Sequence, residues 1–146
     1  MPTSTRFAVA VHILSILAVH EGAAVRSEEI AASVCTNPTV IRRLLGRLAE
    51  AGLTTSQLGS GGGAMLARSA SEITLLEVFQ VVEEPHIFEL HRNNPNDKCG
   101  VGRNIQTVLS RSMQRAQQAL EAELEQTTIA QITQEIQSLV QAQKEG

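Results

Sequence analysis

Residues 27–68 read SEEIAASVCTNPTVIRRLLGRLAEAGLTTSQLGSGGGAMLAR. Ser27 is a residue type that caps helix starts, and Glu28 and Glu29 behind it suit the positive end of a helix. Ile30, Ala31 and Val34 give that short helix one apolar side. Asn37-Pro38 then restarts the chain, with Asn37 as the N-cap and Pro38 in the first helical position. Val40, Ile41, Leu44, Leu45 and Leu48 form the core face of the next helix, while Arg42, Arg43, Gly46 and Arg47 fall largely on its other side. Gly52 closes it as a C′ residue. Residues 53–58 and 64–67 are short strand candidates joined by Gly59-Ser60-Gly61-Gly62-Gly63. Two helices meeting at a tight break, the second rich in Arg, and a Gly hairpin behind them predict a winged helix-turn-helix. That arrangement lays one helix in the major groove of duplex DNA.

The flanking sequence extends this reading. The N-terminal stretch MPTSTRFAVAVHILSILAVH imitates a signal peptide, with one Arg before an apolar run. His12 and Ser15 interrupt the run, and Phe7, Val11, Leu14 and Ala18 recur at helical spacing, so an amphipathic helix over residues 4–20 is predicted. No run approaches 18 uninterrupted apolar residues, so neither a membrane span nor export is expected, and the expected location is the cytoplasm. A fourth helix starts at Ser71 or Thr74 and ends near Glu83, with Leu75, Leu76, Val78, Phe79 and Val82 as its apolar set. Residues 85–102, PHIFELHRNNPNDKCGVG, are irregular. A long helix over about 103–126 carries the stripe Ile105, Val108, Leu109, Met113, Ala116, Ala119, Leu120 and Leu124. A last helix over 129–141 is expected to bury Ile132, Ile136, Leu139 and Val140.

The predicted fold class is therefore mostly α with a small β-wing: a winged helix-turn-helix domain plus a long C-terminal dimerisation helix. The predicted organisation is a DNA-binding domain over 1–84, a sensory loop over 85–102, and the dimerisation and C-terminal helices over 103–146. The stripe of the long helix is too continuous for a lone exposed arm. Ile105, Val108, Leu109, Met113, Ala116 and Leu120 are the expected contacts with a second copy.

Charge is distributed unevenly. The net charge is −3 and the isoelectric point about 5.8. Residues 36–70 nevertheless hold four Arg against one Glu. Residues 71–91 hold five Glu and no base, and residues 92–115 are again basic. Phosphates respond to the local patch and not to the sum, so an acidic chain does not exclude DNA. Only three aromatics, Phe7, Phe79 and Phe88, are present. That is too few for the stacking platforms of single-strand binders, which favours duplex DNA.

The predicted DNA-facing set is Ser27, Thr36, Asn37, Pro38, Thr39, Val40, Arg42, Arg43, Arg47, Ser60, Gly61 and Gly62. Thr36, Asn37 and Thr39 have groups that hydrogen-bond base edges, and Val40 suits a thymine methyl. Arg42 sits one turn in, placed for a base, while Arg43, Arg47 and Lys98 are better placed for phosphate. The Gly run lacks the Gly-Lys-Ser/Thr ending of a phosphate-cradling loop, which leaves the hairpin reading. No nucleophile–base order, carboxylate pair or cofactor fingerprint is recognisable, so no enzyme is predicted. A winged helix that serves only as a protein-contact module is the alternative.

The chain resembles the Rrf2 family of bacterial transcription regulators. The resemblance rests on SEEIAASV, NPTVIRRLLGRLAEAGL, the GSGGG wing with AMLAR, and EITLLEVFQVVEE, in that order over roughly residues 5–85. The segment NPNDKCGVGRNIQTVL looks like the subgroup that lacks an iron–sulfur cluster. The resemblance implies a homodimer joined through the long helix that binds a palindromic operator, and the expected role is that of a repressor. Members holding a cluster carry three close cysteines in the loop after the fourth helix, where this chain has only Cys99. Wings in that branch often begin Arg-Gly, where this chain has Leu58-Gly59, so weaker minor-groove readout is expected.

The two cysteines raise a further question. Cys35 falls in the helix-turn-helix turn, and Cys99 precedes the long helix beside Lys98 with Arg103 near. Positive charge and a helix start both lower a thiol pKa. If the long helices cross in a dimer, a Cys35–Cys99′ disulfide between subunits would form a redox switch of operator affinity. Cys35 as a small buried hydrophobe and Cys99 as a bystander are the alternative. His86, His91 and Cys99 fit no compact zinc spacing, so no metal and no cofactor are predicted. Regulation by a metal or a small ligand on the same fold stays open.

Overall fold

The structure, a computed structural model, describes residues 4–146. The chain order is α1 (Arg6–Val19), α2 (Ser27–Val34), α3 (Pro38–Glu50), β1 (Thr54–Gln57), β2 (Gly63–Leu66), a 3-10 turn at Ala70–Glu72, α4 (Leu75–Val82), α5 (Gly100–Glu125) and α6 (Ile129–Glu145). This is a winged helix with a long helix behind it. The wing is a two-stranded antiparallel sheet in which Thr54 faces Leu66 and Gln57 faces Gly63.

α1 lies at the centre of the fold. It packs against α2, α3, α4, α6 and the wing, and Ala10, Ile13, Leu14, Ser15 and Leu17 are buried. The expected stripe of Phe7, Val11 and Ala18 is only half-buried, because α1 is enclosed on several sides instead of resting on one face. Buried Ser15 satisfies its hydroxyl by donating to the Val11 carbonyl at 2.8 Å. Ile30 and Ala31 of α2, Ile41, Leu44 and Leu48 of α3, Leu53, Ile73, and Val78 and Val82 of α4 complete the core. Each fully buried Leu or Ile contributes about 1.5–3 kcal/mol relative to an exposed one. Phe7 and Phe79 meet edge to face, with centroids 5.7 Å apart.

Two short bridges tie distant segments together. Val25, between α1 and α2, exchanges hydrogen bonds with Ala64 of β2 at 2.9 and 2.8 Å, so the wing is anchored to the body. Thr74 pairs with Thr128, with Leu75 N–H donating to Thr127 O and Ile129 N–H to Ile73 O, both at 2.9 Å. The second bridge seats the start of α6 beside α4. Ile129 is fully buried in the same core as α1 to α4, so the first turn of the last helix is part of the winged-helix body.

Several expectations need correction. Ser27 is the first residue of α2 and not its cap; extended Arg26 holds the cap position and makes no side-chain cap bond. Val40 is 39% exposed and does not join the buried α3 core face; it lines an open groove beside Thr5, Arg6 and Val9 at the start of α1. α5 begins at Gly100, not at residue 103, because the chain turns helical directly after Cys99. α6 runs on to Glu145 and leaves Ile136, Leu139 and Val140 exposed, because no element among the described residues covers its second half. A segment from Ser71 divides into the 3-10 turn and α4, which Thr74 caps by accepting from Glu77 N–H at 3.2 Å.

α5 contains 26 residues, about 39 Å at 1.5 Å per residue, and none of them is buried. Among the described residues, no helix is long and apolar enough to cross a membrane.

Candidate nucleic-acid interface

The geometry of the α3 start follows from its caps. Asn37 is extended and its side-chain oxygen accepts from Thr39 N–H at 2.8 Å, with Pro38 in the first turn. Such a cap is worth about 1 kcal/mol. It also occupies one lone pair of the Asn37 oxygen and fixes its direction, leaving the amide N–H groups as the donors for a partner. Thr39 and Val40 are exposed just beyond the cap, whereas Thr36 and Pro38 are half-buried. The opposite face of α3 is anchored by Ile41, Leu44 and Leu48. The helix therefore presents its N-terminal half outward from a rigid base.

The three Arg side chains of α3 take three different settings. Arg42 donates through Nη2 to Glu28 Oε1 at 2.7 Å, an ion pair between α3 and α2 with both side chains 56% exposed. Arg43 is exposed and makes no side-chain hydrogen bond or ion pair among the described residues. Arg47 points back toward α4, where Nη1 donates to Val82 O at 3.4 Å. Glu28 was read in sequence only as a helix-start charge. Its pairing with Arg42 depends on the crossing of α2 and α3, which no spacing along the chain reveals. The Glu28 carboxyl is held below its usual pKa, first by its own backbone N–H and further by Arg42.

The wing tip carries Leu58, Gly59, Ser60 and Gly61 in the open, with Leu58 90% exposed. Gly62 sits tighter: a Cβ there would lie 2.1 Å from the Gln57 carbonyl oxygen. Ser27 is half-buried at the start of α2 and lines a small cleft with Arg42, Gly46, Thr54 and Ser56 between α3 and the wing. Two further carboxylates of this body, Glu77 and Glu83, are engaged. Arg68 binds Glu77 through two contacts of 2.7 and 3.2 Å, and also donates to Glu72 O. Glu83 accepts from Phe7 N–H at 3.1 Å and lies 3.6 Å from Arg6, so it serves the start of α1 in addition to ending α4.

Both cysteines are exposed, which overturns the alternative of a buried Cys35. Cys35 ends α2 in the left-handed conformation with φ 61°, the only non-glycine residue with positive φ among the described residues. Cys99 is the N-cap residue of α5. Its thiol pKa is lowered by the backbone N–H groups of Gly102 and then Val101, although no cap hydrogen bond closes on the sulfur. The helix start supplies this effect, and not Lys98 or Arg103. The Arg103 guanidinium instead donates to Asp97 O at 3.2 Å.

Between residues 86–90 and the middle of α5 lies a half-open cavity of about 650 Å³. Phe88, Leu90 and Met113 give it apolar walls, and His86, Gln114, Gln118 and Glu121 add polar groups. Gln117 holds the loop to the helix by donating to Pro85 O at 2.9 Å and accepting from Ile87 N–H at 3.2 Å. Among the described residues, His86, His91 and Cys99 do not gather into a three-donor metal cluster.

Comparison with known proteins agrees with this architecture. The sequence profile of the Rrf2 family, described as an iron-dependent transcriptional regulator, matches residues 3–135. YwnA of Bacillus subtilis (strain 168), named as a candidate HTH-type transcriptional regulator, is 43% identical over 122 residues, covering 83% of this chain and 89% of its own. A crystal structure titled as a candidate DNA-binding protein is 38% identical, with a TM-score of 0.70 over 87% of this chain and 97% of that one. A candidate transcriptional regulator from Lactobacillus plantarum is 25% identical, with a TM-score of 0.78 over 97% of both chains. The iron in the family description finds no matching donor set here. Two cysteines on separate elements, with no three-donor cluster among the described residues, do not fit a cluster that needs four ligands.

Proposed function

Because this chain belongs to the Rrf2 family of transcriptional regulators, and not to a family of enzymes, we propose that it binds duplex DNA as a homodimer and represses from a palindromic operator. The observation that carries this reading is the outward N-terminal half of α3. Thr39, Val40 and Arg43 are exposed there, while Ile41, Leu44 and Leu48 fix the helix from behind. Recognition helices on a two-fold dimer enter successive major grooves about 34 Å apart. Thr36, Asn37, Thr39 and Arg42 read or position on bases. Arg43 is the phosphate contact best supported by its free guanidinium, and Ser60, Gly61 and the backbone of Gly62 approach from the wing. Arg47 takes a phosphate only by leaving Val82. The dimer is supported by Val108 and Leu109, exposed on a helix with no buried residue. The protein is expected in the cytoplasm.

The proposed signal is oxidation of Cys35 and the partner's Cys99. Exposure of both thiols and the lowered pKa of Cys99 support it. Hydrogen peroxide takes two electrons from the two thiols: its O–O bond breaks, the two thiol protons go to the departing oxygens as two waters, and one S–S bond forms. A small-molecule signal is the second reading, favoured by the cavity beside α5.

Selection from a random duplex pool tests the function directly. The wild-type protein is expected to enrich a palindrome. Arg43→Ala should weaken binding to every duplex and reduce the slope of log K against log salt by about 0.9 per subunit. Enrichment of no sequence would refute the regulator reading. Mild peroxide should change operator affinity in the wild type and not in Cys99→Ser.

A further inference from the structure

We propose that Glu28 is a specificity-determining positioning residue, whose ion pair with Arg42 keeps that guanidinium off the DNA backbone and aims it at a base. The inference rests on the DNA-binding reading above and goes beyond it, because Glu28 belongs to α2 and not to the recognition helix.

Arg42 and Arg43 are neighbours in sequence, yet their side chains leave α3 on different sides. Arg42 turns toward α2 and the wing, lining a cleft with Ser27, Thr54 and Ser56. Arg43 lines the opposite groove with Thr5, Arg6 and Val9. Only Arg42 is held, by a 2.7 Å contact from Nη2 to Glu28 Oε1. Arg has five N–H donors in a planar fork, so a contact made by Nη2 leaves donors for the O6 and N7 acceptors of a guanine. The same carboxylate cancels the charge that draws a free Arg onto phosphate. An untethered Arg42 on an exposed helix face would gain backbone contacts on any sequence, which raises affinity without information.

The pair is poorly suited to a merely structural role. Exposed ion pairs add little to stability, and α2 and α3 are already joined through buried Ile30, Ala31, Ile41 and Leu44. Its exposure leaves it free to reorient against DNA. Glu28 stays ionised at neutral pH, since its own amide and Arg42 both favour the charged form.

The test compares wild type, Glu28→Gln, Arg42→Ala and the double variant on two probes: the duplex enriched from a random pool by the wild type, and a scrambled duplex of equal length. Glu28→Gln is expected to keep the wild-type melting temperature and bind the scrambled duplex more tightly. Its salt slope on that duplex should steepen by about 0.9 per subunit. Its ratio of specific to scrambled affinity should fall by about fivefold or more, the discrimination of one bidentate base contact. In the Arg42→Ala background, Glu28→Gln should leave the ratio unchanged. An unaltered ratio and slope in Glu28→Gln overturn the proposal, as does an equal loss of ratio in both backgrounds. A lower melting temperature with an unaltered ratio assigns Glu28 to structure and also overturns it. If the wild type enriches no duplex, the DNA-binding reading fails; if it does and the ratio holds in Glu28→Gln, only the role of Glu28 fails.

Discussion

Replacing Gly63 with Ala should unseat the wing from the body of the domain. Gly63 opens β2 with φ +155°, and a Cβ there would lie 2.4 Å from the Val25 carbonyl oxygen and 2.6 Å from its carbon. Those atoms are backbone and cannot rotate aside. To make room, β2 must lift away from the linker before α2 and break the two hydrogen bonds between Val25 and Ala64. Each bond is worth about 1 kcal/mol, and a side chain at this φ adds at least about 1 kcal/mol of strain. The sum is about 3 kcal/mol, before any exposure of buried Val25. For a domain of this size, 1 kcal/mol moves the melting temperature by about 3 °C, so a drop of about 10 °C is expected. Gly61→Ala is the control. Its φ is +78°, but a Cβ there meets nothing within 4 Å, so only conformational strain of about 1 kcal/mol remains, or about 3 °C. Thermal melts followed by circular dichroism, at one protein concentration because the melting of any oligomer depends on it, measure both. A Gly63→Ala protein melting within 3 °C of wild type, or a Gly61→Ala protein equally damaged, would refute the argument from backbone approach.

Three other predictions rest on separate parts of the molecule. Val108→Glu places a charge on the exposed apolar face of α5; light scattering should report a shift from dimer toward monomer, and an unchanged dimer would exclude this face. Cys99 should be alkylated by iodoacetamide as a thiolate at pH values below the ordinary thiol range, because the amides of Gly102 and Val101 lower its pKa; a rate that rises only near pH 8.5, by peptide mass mapping, would contradict that. Glu77 is held below its usual pKa chiefly by the hydrogen bond from Arg68. A depressed carboxyl stabilises the fold above its unfolded pKa of about 4.3 and loses that contribution as pH falls through the folded value. The urea midpoint of Glu77→Gln should therefore trail wild type modestly at pH 7 and converge with it once the pH has fallen below the depressed folded value; a gap that persists through full acid titration would rule out this linkage.

The elements that sequence predicts well are those written by local chemistry. Asn37 and Pro38 start α3 through one hydrogen bond and one fixed φ, both within two residues of the helix they begin. The glycines of residues 59–63 make a hairpin because they tolerate the turn themselves. Periodicity located Ile41, Leu44 and Leu48 on the core side. It failed at Val40, which lies at the edge of the same stripe, and at Ile136, Leu139 and Val140, which repeat at core spacing on a helix half left uncovered among the described residues. An apolar pattern records that a face prefers burial, and carries no information on whether the covering element belongs to the same chain.

The proposed DNA-facing region divides along the same line. The order of helices, the Arg-rich face of α3, the wing and the family resemblance are all legible in one dimension, because each depends on residues close in sequence. The partners of those Arg side chains are not. Arg42 meets Glu28 across 14 positions and Arg47 meets Val82 across 35, while Val25 anchors a wing residue nearly 40 positions away. Sequence alone determined which helix turns an Arg-rich face outward and which residues cap it, since capping and amphipathicity are short-range. Tertiary structure decided which charges on that helix are free, which are held and in what direction, since ion pairs and backbone bridges depend on how helices cross in space.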